Sequence, residues 1–476
     1  MPARKVALSE AVKAEVAAGL TALRAELEIP EEFPAEVVAA AEAAATAPRL
    51  PELDRTDLEL ITIDPPGSRD LDQALHLAAD GDDYLVSYAI ADVAAFVEPG
   101  GPIDVEAHRR GQTLYGPDRR IPLHPPALSE DAASLLPDQV RPAVLWTIRL
   151  DATGRQTAVE VRRARVRSRE QLSYADAQAE IDSGSARPTL HLLRTVGQLR
   201  EQLERDRGGV SLPIPEQVVA VEEQHWSLEF RSPLPVEGWN AQISLLTGMA
   251  AAGIMVDGRV GVLRTLPPAE PGSLRRLRRI ARGLRISWPD DLDYPDFVRT
   301  LDPTEGPQAA MLAACTTLFR GAGYEAFTGT PPDELGHAAL ATDYAHATAP
   351  LRRLVDRYVG EVCLALTAGE PVPDWVTEAL PELPEQMRRS EQLAKRYERS
   401  ALDLVELAVL RSRDGAVFDA MITELDEEKG RGEIVIADPA VEADVRGPGL
   451  RLGQEIKVRL ISSELDQGKI VFEPAG

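Results

Sequence analysis

Two cysteines in 476 residues, Cys315 and Cys363, are too few for a disulfide framework or a cysteine-ligated zinc site. Each sits in an apolar, helix-like stretch, Leu312-Ala-Ala-Cys315-Thr-Thr-Leu and Val362-Cys363-Leu-Ala-Leu, so buried free thiols and a reducing, cytoplasmic setting are expected. No run approaches 18 uninterrupted apolar residues, and the N-terminus opens onto acidic, helix-forming sequence. Neither a membrane span nor a signal peptide is expected. Positive charge is also short: 52 Lys and Arg stand against 77 Asp and Glu, a net charge of −25. Taken alone, that opposes a polyanionic partner, because nucleic-acid binders usually display basic surface. An acidic exterior can still enclose a locally basic channel, and a site that concentrates Mg²⁺ needs carboxylates of its own.

The length predicts two or three domains. Residues 1–48 are rich in Ala, Glu and Leu, with helical spacing from Val6 to Leu27 and from Val37 to Ala45 around Pro30 and Pro34. Phe33 is the only aromatic there, so a docked helical cap is expected rather than an arm that stacks on bases. Residues 49–413 read as an α+β domain. Strands are expected at Leu58–Ile63, Leu85–Val97, Pro142–Leu150 and Thr157–Val166, and helices at Leu172–Ile181, Leu190–Asp206 and Asn240–Val256. Pro384–Ser412 should form one long helix. From 414 to 476 short alternating strands, Val417–Ile422, Glu433–Ile436, Glu455–Ile461 and Lys469–Phe472, suggest a five-stranded OB-type barrel.

The chemistry concentrates in Ile63-Asp64-Pro-Pro-Gly-Ser-Arg-Asp70-Leu-Asp72-Gln73. Three carboxylates fall within nine residues, one at a strand end and two at i and i+2, where an extended backbone aims both side chains to one side. Mg²⁺ prefers oxygen ligands and commonly takes one or two carboxylates together with water and phosphate oxygens. Capping and solubility of a turn are the plainer explanation of such a cluster. Further landmarks follow in order: Ile90-Ala-Asp92-Val-Ala-Ala-Phe-Val97, Asp104-Val-Glu-Ala-His-Arg-Arg-Gly-Gln-Thr-Leu-Tyr115, Ile121-Pro-Leu-His-Pro-Pro-Ala-Leu-Ser129 with Ser134-Leu135, and finally Tyr344-Ala-His346-Ala-Thr348-Ala-Pro350-Leu-Arg352-Arg353.

In these motifs, and in their order, residues 50–410 resemble the RNB catalytic domain of the ribonuclease II, ribonuclease R and exosome nuclease family. The resemblance implies a hydrolytic 3′→5′ exoribonuclease that uses Mg²⁺ or Mn²⁺, acts on single-stranded RNA and releases nucleoside 5′-monophosphates. It implies metal ligation by Asp64, Asp70 and Asp72, with Gln73 where the family has a fourth aspartate, and catalytic roles for Asp72, Arg352 and Tyr174. Tyr115, Arg353, Glu398 and His346 match positions at or near the RNA. Protein partners are left unknown.

Three departures accompany the resemblance. Gln73 brings no negative charge, and Asp92 is a candidate to compensate. Trp239-Asn240-Ala241-Gln242 stands where the family shows Glu-Glu, leaving Asn240 to bond substrate or cap a helix. About 50 helical residues replace the cold-shock barrels common in the family, and from Gly415 onward 13 acidic residues face 7 basic ones, with Phe418 and Phe472 the only aromatics. These departures motivate a rival reading, an RNB-type chain that binds RNA or protein without cutting. The strongest basic run, Arg275 to Arg285, is expected to be a solvated helix face, with phosphate contact the alternative.

Overall fold

The computed structural model describes residues 6–7, 10–212, 216–222, 225–303, 305–333, 335–411, 413, 415–426, 430–437, 440–464 and 469–475. Five strands, Leu60–Asp64, Gln73–Asp80, Asp83–Ala91, Val140–Leu150 and Gln156–Ser173, close into a barrel in that order. Neighbours are antiparallel, except that Leu60–Asp64 runs parallel to the end of Gln156–Ser173 and so completes the ring. Closure removes the free edges that a sheet of this size would otherwise expose. Alternating residues of these strands, among them Val86, Tyr88, Trp146 and Ile148, are buried against the helices Pro188–Asp206, Pro235–Gly258 and Leu354–Ala368. Burial of this order is worth roughly 1.5–3 kcal/mol for each large apolar side chain.

The third strand stops at Ala91 and is followed by a 3₁₀ turn at Val93–Ala95, so strand structure does not reach Val97 as expected. The last barrel strand is longer than expected and continues through Leu172, and the next helix begins only at Tyr174. Helix Pro235–Gly258 is long and apolar enough to cross a membrane by length and composition, although charged and polar residues interrupt its apolar run. Its Ile243, Leu246, Ala251 and Met255 lie in the domain core. Cys315 and Cys363 are buried free thiols.

Helix Glu10–Glu26 docks on the long helix Leu383–Leu410, its Val16 and Leu20 packed with Ala394, Tyr397 and Ala401. Arg24, 1% exposed, locks the contact through Glu31, Asp118 and the Tyr397 hydroxyl. Phe33 lies under the Arg110 guanidinium, 3.8 Å from ring centroid to carbon, and is not presented for stacking. The helical spacing from Val6 misled at its start: Val6–Ala7 is a strand paired with His225–Arg231.

The long helix carries Glu398 on its middle and inserts Val405, Val409 and Leu410 into the core of a second closed barrel. That barrel comprises Val417–Asp426, Arg431–Ala437, Ala440–Arg446, Glu455–Glu464 and Lys469–Pro474. Phe472 is fully buried, and Phe418 meets it edge-on at 5.9 Å, so both aromatics serve its core.

Candidate active site

Strand register brings the site together. Asp64 ends the first barrel strand directly opposite Ser173, which places it beside Tyr174 at the start of the next helix. That helix starts there because Ser173 and Asp176 form a capping box, an arrangement worth about 1 kcal/mol. The chain turns at Pro65–Ser68, with Gly67 at φ +81°, and returns through Asp70 and Asp72 to the second strand. Ser134 fixes the return: its hydroxyl accepts from the Leu71 N–H at 2.9 Å and donates to the Arg69 carbonyl at 2.6 Å. The Ser134-Leu135 landmark is thus a clasp on the acidic loop.

The segment 344–353 closes the site from the other side. Asp72, 4% exposed, accepts the Leu351 N–H at 2.7 Å and lies 3.4 Å from Arg352 Nε. Arg353 is held by a bidentate pair to Asp356, 2.9 Å on each arm, and Asp356 also accepts the Ala349 N–H at 2.7 Å. Asp356 pairs with Arg353 alone. That leaves Arg352, with its side chain 45% exposed, turned toward the aspartates. Tyr115, 41% exposed, lies within the electrostatic reach of Arg352. Tyr115, Arg352, Arg353 and Glu398 line one cavity of about 160 Å³ with Gln112, Thr113 and Ala394.

Charge is poorly balanced at the centre. Burial pushes the Asp64 carboxyl up to about 7, with Arg352 pulling it down and Asp70 pushing it further up. Burial likewise raises Asp72 to about 8, against the pull of Arg352 and the Leu351 N–H. Two desolvated carboxylates with one guanidinium between them lack positive charge, the condition a bound divalent cation corrects. Among the described residues no three His, Cys, Asp or Glu side chains already stand as a metal cluster. Asp64 and Asp72 nevertheless fit the one or two carboxylates that Mg²⁺ usually takes, and substrate phosphate and water complete its shell.

Other expected ligands are placed differently. Asp70 pairs with Arg120, which also holds Glu130 at 2.9 Å, so that carboxylate is partly neutralised by protein. The Gln73 amide is a tie rather than an open ligand: its oxygen accepts the Tyr88 hydroxyl and its nitrogen donates to the Thr348 carbonyl, both at 2.7 Å. Asp92 does not compensate, because Arg163 engages it at 2.9 Å and also binds Glu361. Asn240 caps nothing, lying inside helix Pro235–Gly258; it is 8% exposed and its side chain stands beside Tyr174. His346 is boxed between Tyr324 and Tyr344, with Nδ1 2.7 Å from the Tyr324 hydroxyl. Desolvation, reinforced by Arg353 and Arg264, pushes its pKa well below the ordinary value, so the ring is neutral packing behind Arg353 instead of a cationic RNA contact.

Sequence reasoning missed Tyr88, Arg120 and Glu130. Arg120 immediately precedes the Ile121-Pro landmark, a signal that was present but ambiguous. Far from the centre, helix Pro271–Gly283 buries Leu277 and Ala281. It exposes Arg275, Arg276, Arg279 and Arg282, none of which has an ion pair among the described residues.

A barrel end carrying two desolvated aspartates, an arginine and two tyrosines is suited to phosphodiester cleavage. The comparisons with known proteins give the particular family. Residues 53–367 match the RNB domain and residues 416–475 match the RNase II-type exonuclease C-terminal S1 domain. The chain belongs to the RNB family of exoribonucleases. Ribonuclease R of Aquifex aeolicus (strain VF5) is 26% identical over 494 residues, covering 94% of this chain and 68% of the relative. The exosome complex exonuclease dis3 of Schizosaccharomyces pombe is 29% identical over 319 residues, 64% of this chain. The chain spans only 33% of that relative's length. Among solved structures, Mycoplasma genitalium RNase R in complex with ribose methylated single-stranded RNA superimposes with a TM-score of 0.85 at 19% identity, covering 97% of this chain and 78% of that one. Yeast Ssd1, a pseudonuclease, shares the fold at a TM-score of 0.69 and 16% identity, covering 91% and 54%.

Proposed function

We propose that this chain is a Mg²⁺-dependent hydrolytic exoribonuclease that works 3′→5′ on single-stranded RNA and releases nucleoside 5′-monophosphates, with Mn²⁺ able to substitute. The observation that carries the reading is the convergence of half-buried Asp64 and buried Asp72 with Arg352, Tyr174 and Tyr115 at one barrel end. Asp64 and Asp72 would hold the cation, and Asp70 would join them if phosphate displaced it from Arg120. A divalent cation there supplies Lewis-acid stabilisation of the phosphoryl group and a more acidic water.

Arg352 would meet the phosphoryl oxygens with a permanently charged, planar donor set. Tyr174, beside Asn240, would bond the last nucleotide, while Tyr115 would present a sequence-tolerant face for stacking. Arg353, fixed by Asp356, would hold Arg352 in register. The buried free thiols support a cytoplasmic setting.

The retained aspartates and Arg352 favour turnover over a binding-only chain. The test is incubation of the full chain with 3′- and 5′-labelled oligoribonucleotides, with Mg²⁺ or with EDTA. Mg²⁺-dependent release of 5′-mononucleotides from the 3′ end is expected. Retention of intact RNA without any release would overturn the proposal.

A further inference from the structure

At the end of the first barrel away from Ser173, the turn Asp151–Arg155 meets helix Pro188–Asp206 and Met249 around a cavity of about 450 Å³. Three of its lining residues are Arg155, Arg200 and Arg207, and Gln156, Leu203 and Met249 add an amide and an apolar wall. Arg200 is 6% exposed; it donates to the Gly154 carbonyl at 3.0 Å, and its Nε has no partner. Arg207 donates through Nε to the Leu340 carbonyl at 2.7 Å, and its Nη2 is also buried without a partner. None of the three arginines has an ion pair among the described residues.

Two acids stand near this charge, and neither forms an ion pair with these arginines among the described residues. Glu204 is buried and attracts both Arg200 and Arg207, while its two oxygens accept from Ser211 and from Gln242, each at 2.7 Å. Asp206 lines the cavity and accepts from Gln202 at 2.7 Å. Burial, with repulsion from Arg207 and Arg155, lowers Arg200 to about 10 against the pull of Glu204. Like charges held together beside open space, in a protein otherwise rich in acid, are costly unless an anion joins them.

We propose that this pocket is an anion site for a phosphomonoester, with room for a whole mononucleotide. A carboxylate satisfies one guanidinium fork, whereas a phosphate dianion offers three acceptor oxygens to arginines brought together by a helix and a hairpin turn. The cavity lies within the roughly 300–1,000 Å³ range of small-molecule sites, and Leu203 with Met249 gives a ring or ribose something apolar to lie on. The site is separate from the nuclease centre and does not depend on the nuclease reading.

Isothermal titration of the full chain in EDTA, at constant ionic strength, tests it with inorganic phosphate, adenosine 5′-monophosphate and adenosine. A phosphate-dependent binding event should survive Arg352→Gln and weaken by about tenfold or more in Arg155→Gln/Arg207→Gln. Mononucleotide release from RNA should be unchanged in that double variant. Arg155→Gln alone, at an exposed residue, provides the same reading if the double variant is unstable. Tighter binding of the nucleotide than of phosphate identifies a nucleotide site, and equal binding a free-phosphate site; both support the assignment. Equal binding of adenosine, binding unaffected by both variants, loss of binding in Arg352→Gln, or no binding at all would overturn it, the last leaving the pocket to water.

Discussion

The chain contains two closed five-stranded barrels, and they have opposite uses for their polar residues. The first gathers Asp64, Asp72 and Arg352 at one end, beside the cavity that Arg352 lines, and buries its large aromatics Tyr88 and Trp146 inside. The second turns both of its aromatics to its own core and surrounds itself with acid, so the surfaces that make OB-type barrels bind nucleic acid are missing from its side chains. Similar closure yields different chemistry because function depends on what the rim carries.

Removing the acidic centre should have the largest effect. Asp72→Asn is expected to lower mononucleotide release by about three orders of magnitude or more, while filter-binding affinity for RNA stays near the parental value. Parental turnover in that variant would move the chemistry away from the first barrel. Arg352→Lys keeps the charge but loses the planar fork, and should cost about 10²-fold in kcat with a smaller change in KM.

Smaller effects test which barrel's surroundings grip RNA. Arg276→Gln/Arg279→Gln, on the helix facing the second barrel across a groove, should weaken RNA binding a few-fold at about 0.1 M salt and flatten the salt dependence. No change would mark the arginine face as merely solvated.

Acid should unfold the two regions differently. Burial holds His124 neutral, down to about 3 from 6.5, with Arg357 adding to the shift. Its folded pKa is depressed, so the unfolded chain takes the proton first. Stability is intact above about 6.5 and falls as pH drops toward 3. The second barrel contains no histidine and no tryptophan, so tryptophan fluorescence reports the catalytic region. Its Tm should fall with acidification, less steeply in His124→Gln; parallel slopes would assign the acid sensitivity to other groups.

The main elements were legible because periodicity survives in sequence: the strand ending at Asp64, the helix from Pro188 and the long helix from Leu383 all announce themselves by spacing. Element ends were less legible. Leu172 fits a helical pattern, yet barrel closure keeps it in a strand, since pairing with Ile63 offsets local preference. The site followed the same division. Asp64, Asp72, Arg352, Tyr115 and Tyr174 could be named from motifs, whereas the commitments of Gln73 to Tyr88, Asp92 to Arg163 and His346 to Tyr324 involve partners 15 to 71 residues away.

By itself, the sequence determined the class of chemistry: an aspartate-rich loop and an arginine-bearing segment in a fixed order, in a chain without cysteine sites. Only the tertiary structure decided which carboxylates remain free for a cation. That choice depends on which arginine reaches which aspartate, and ion pairs form between side chains brought together by barrel closure rather than by spacing along the chain.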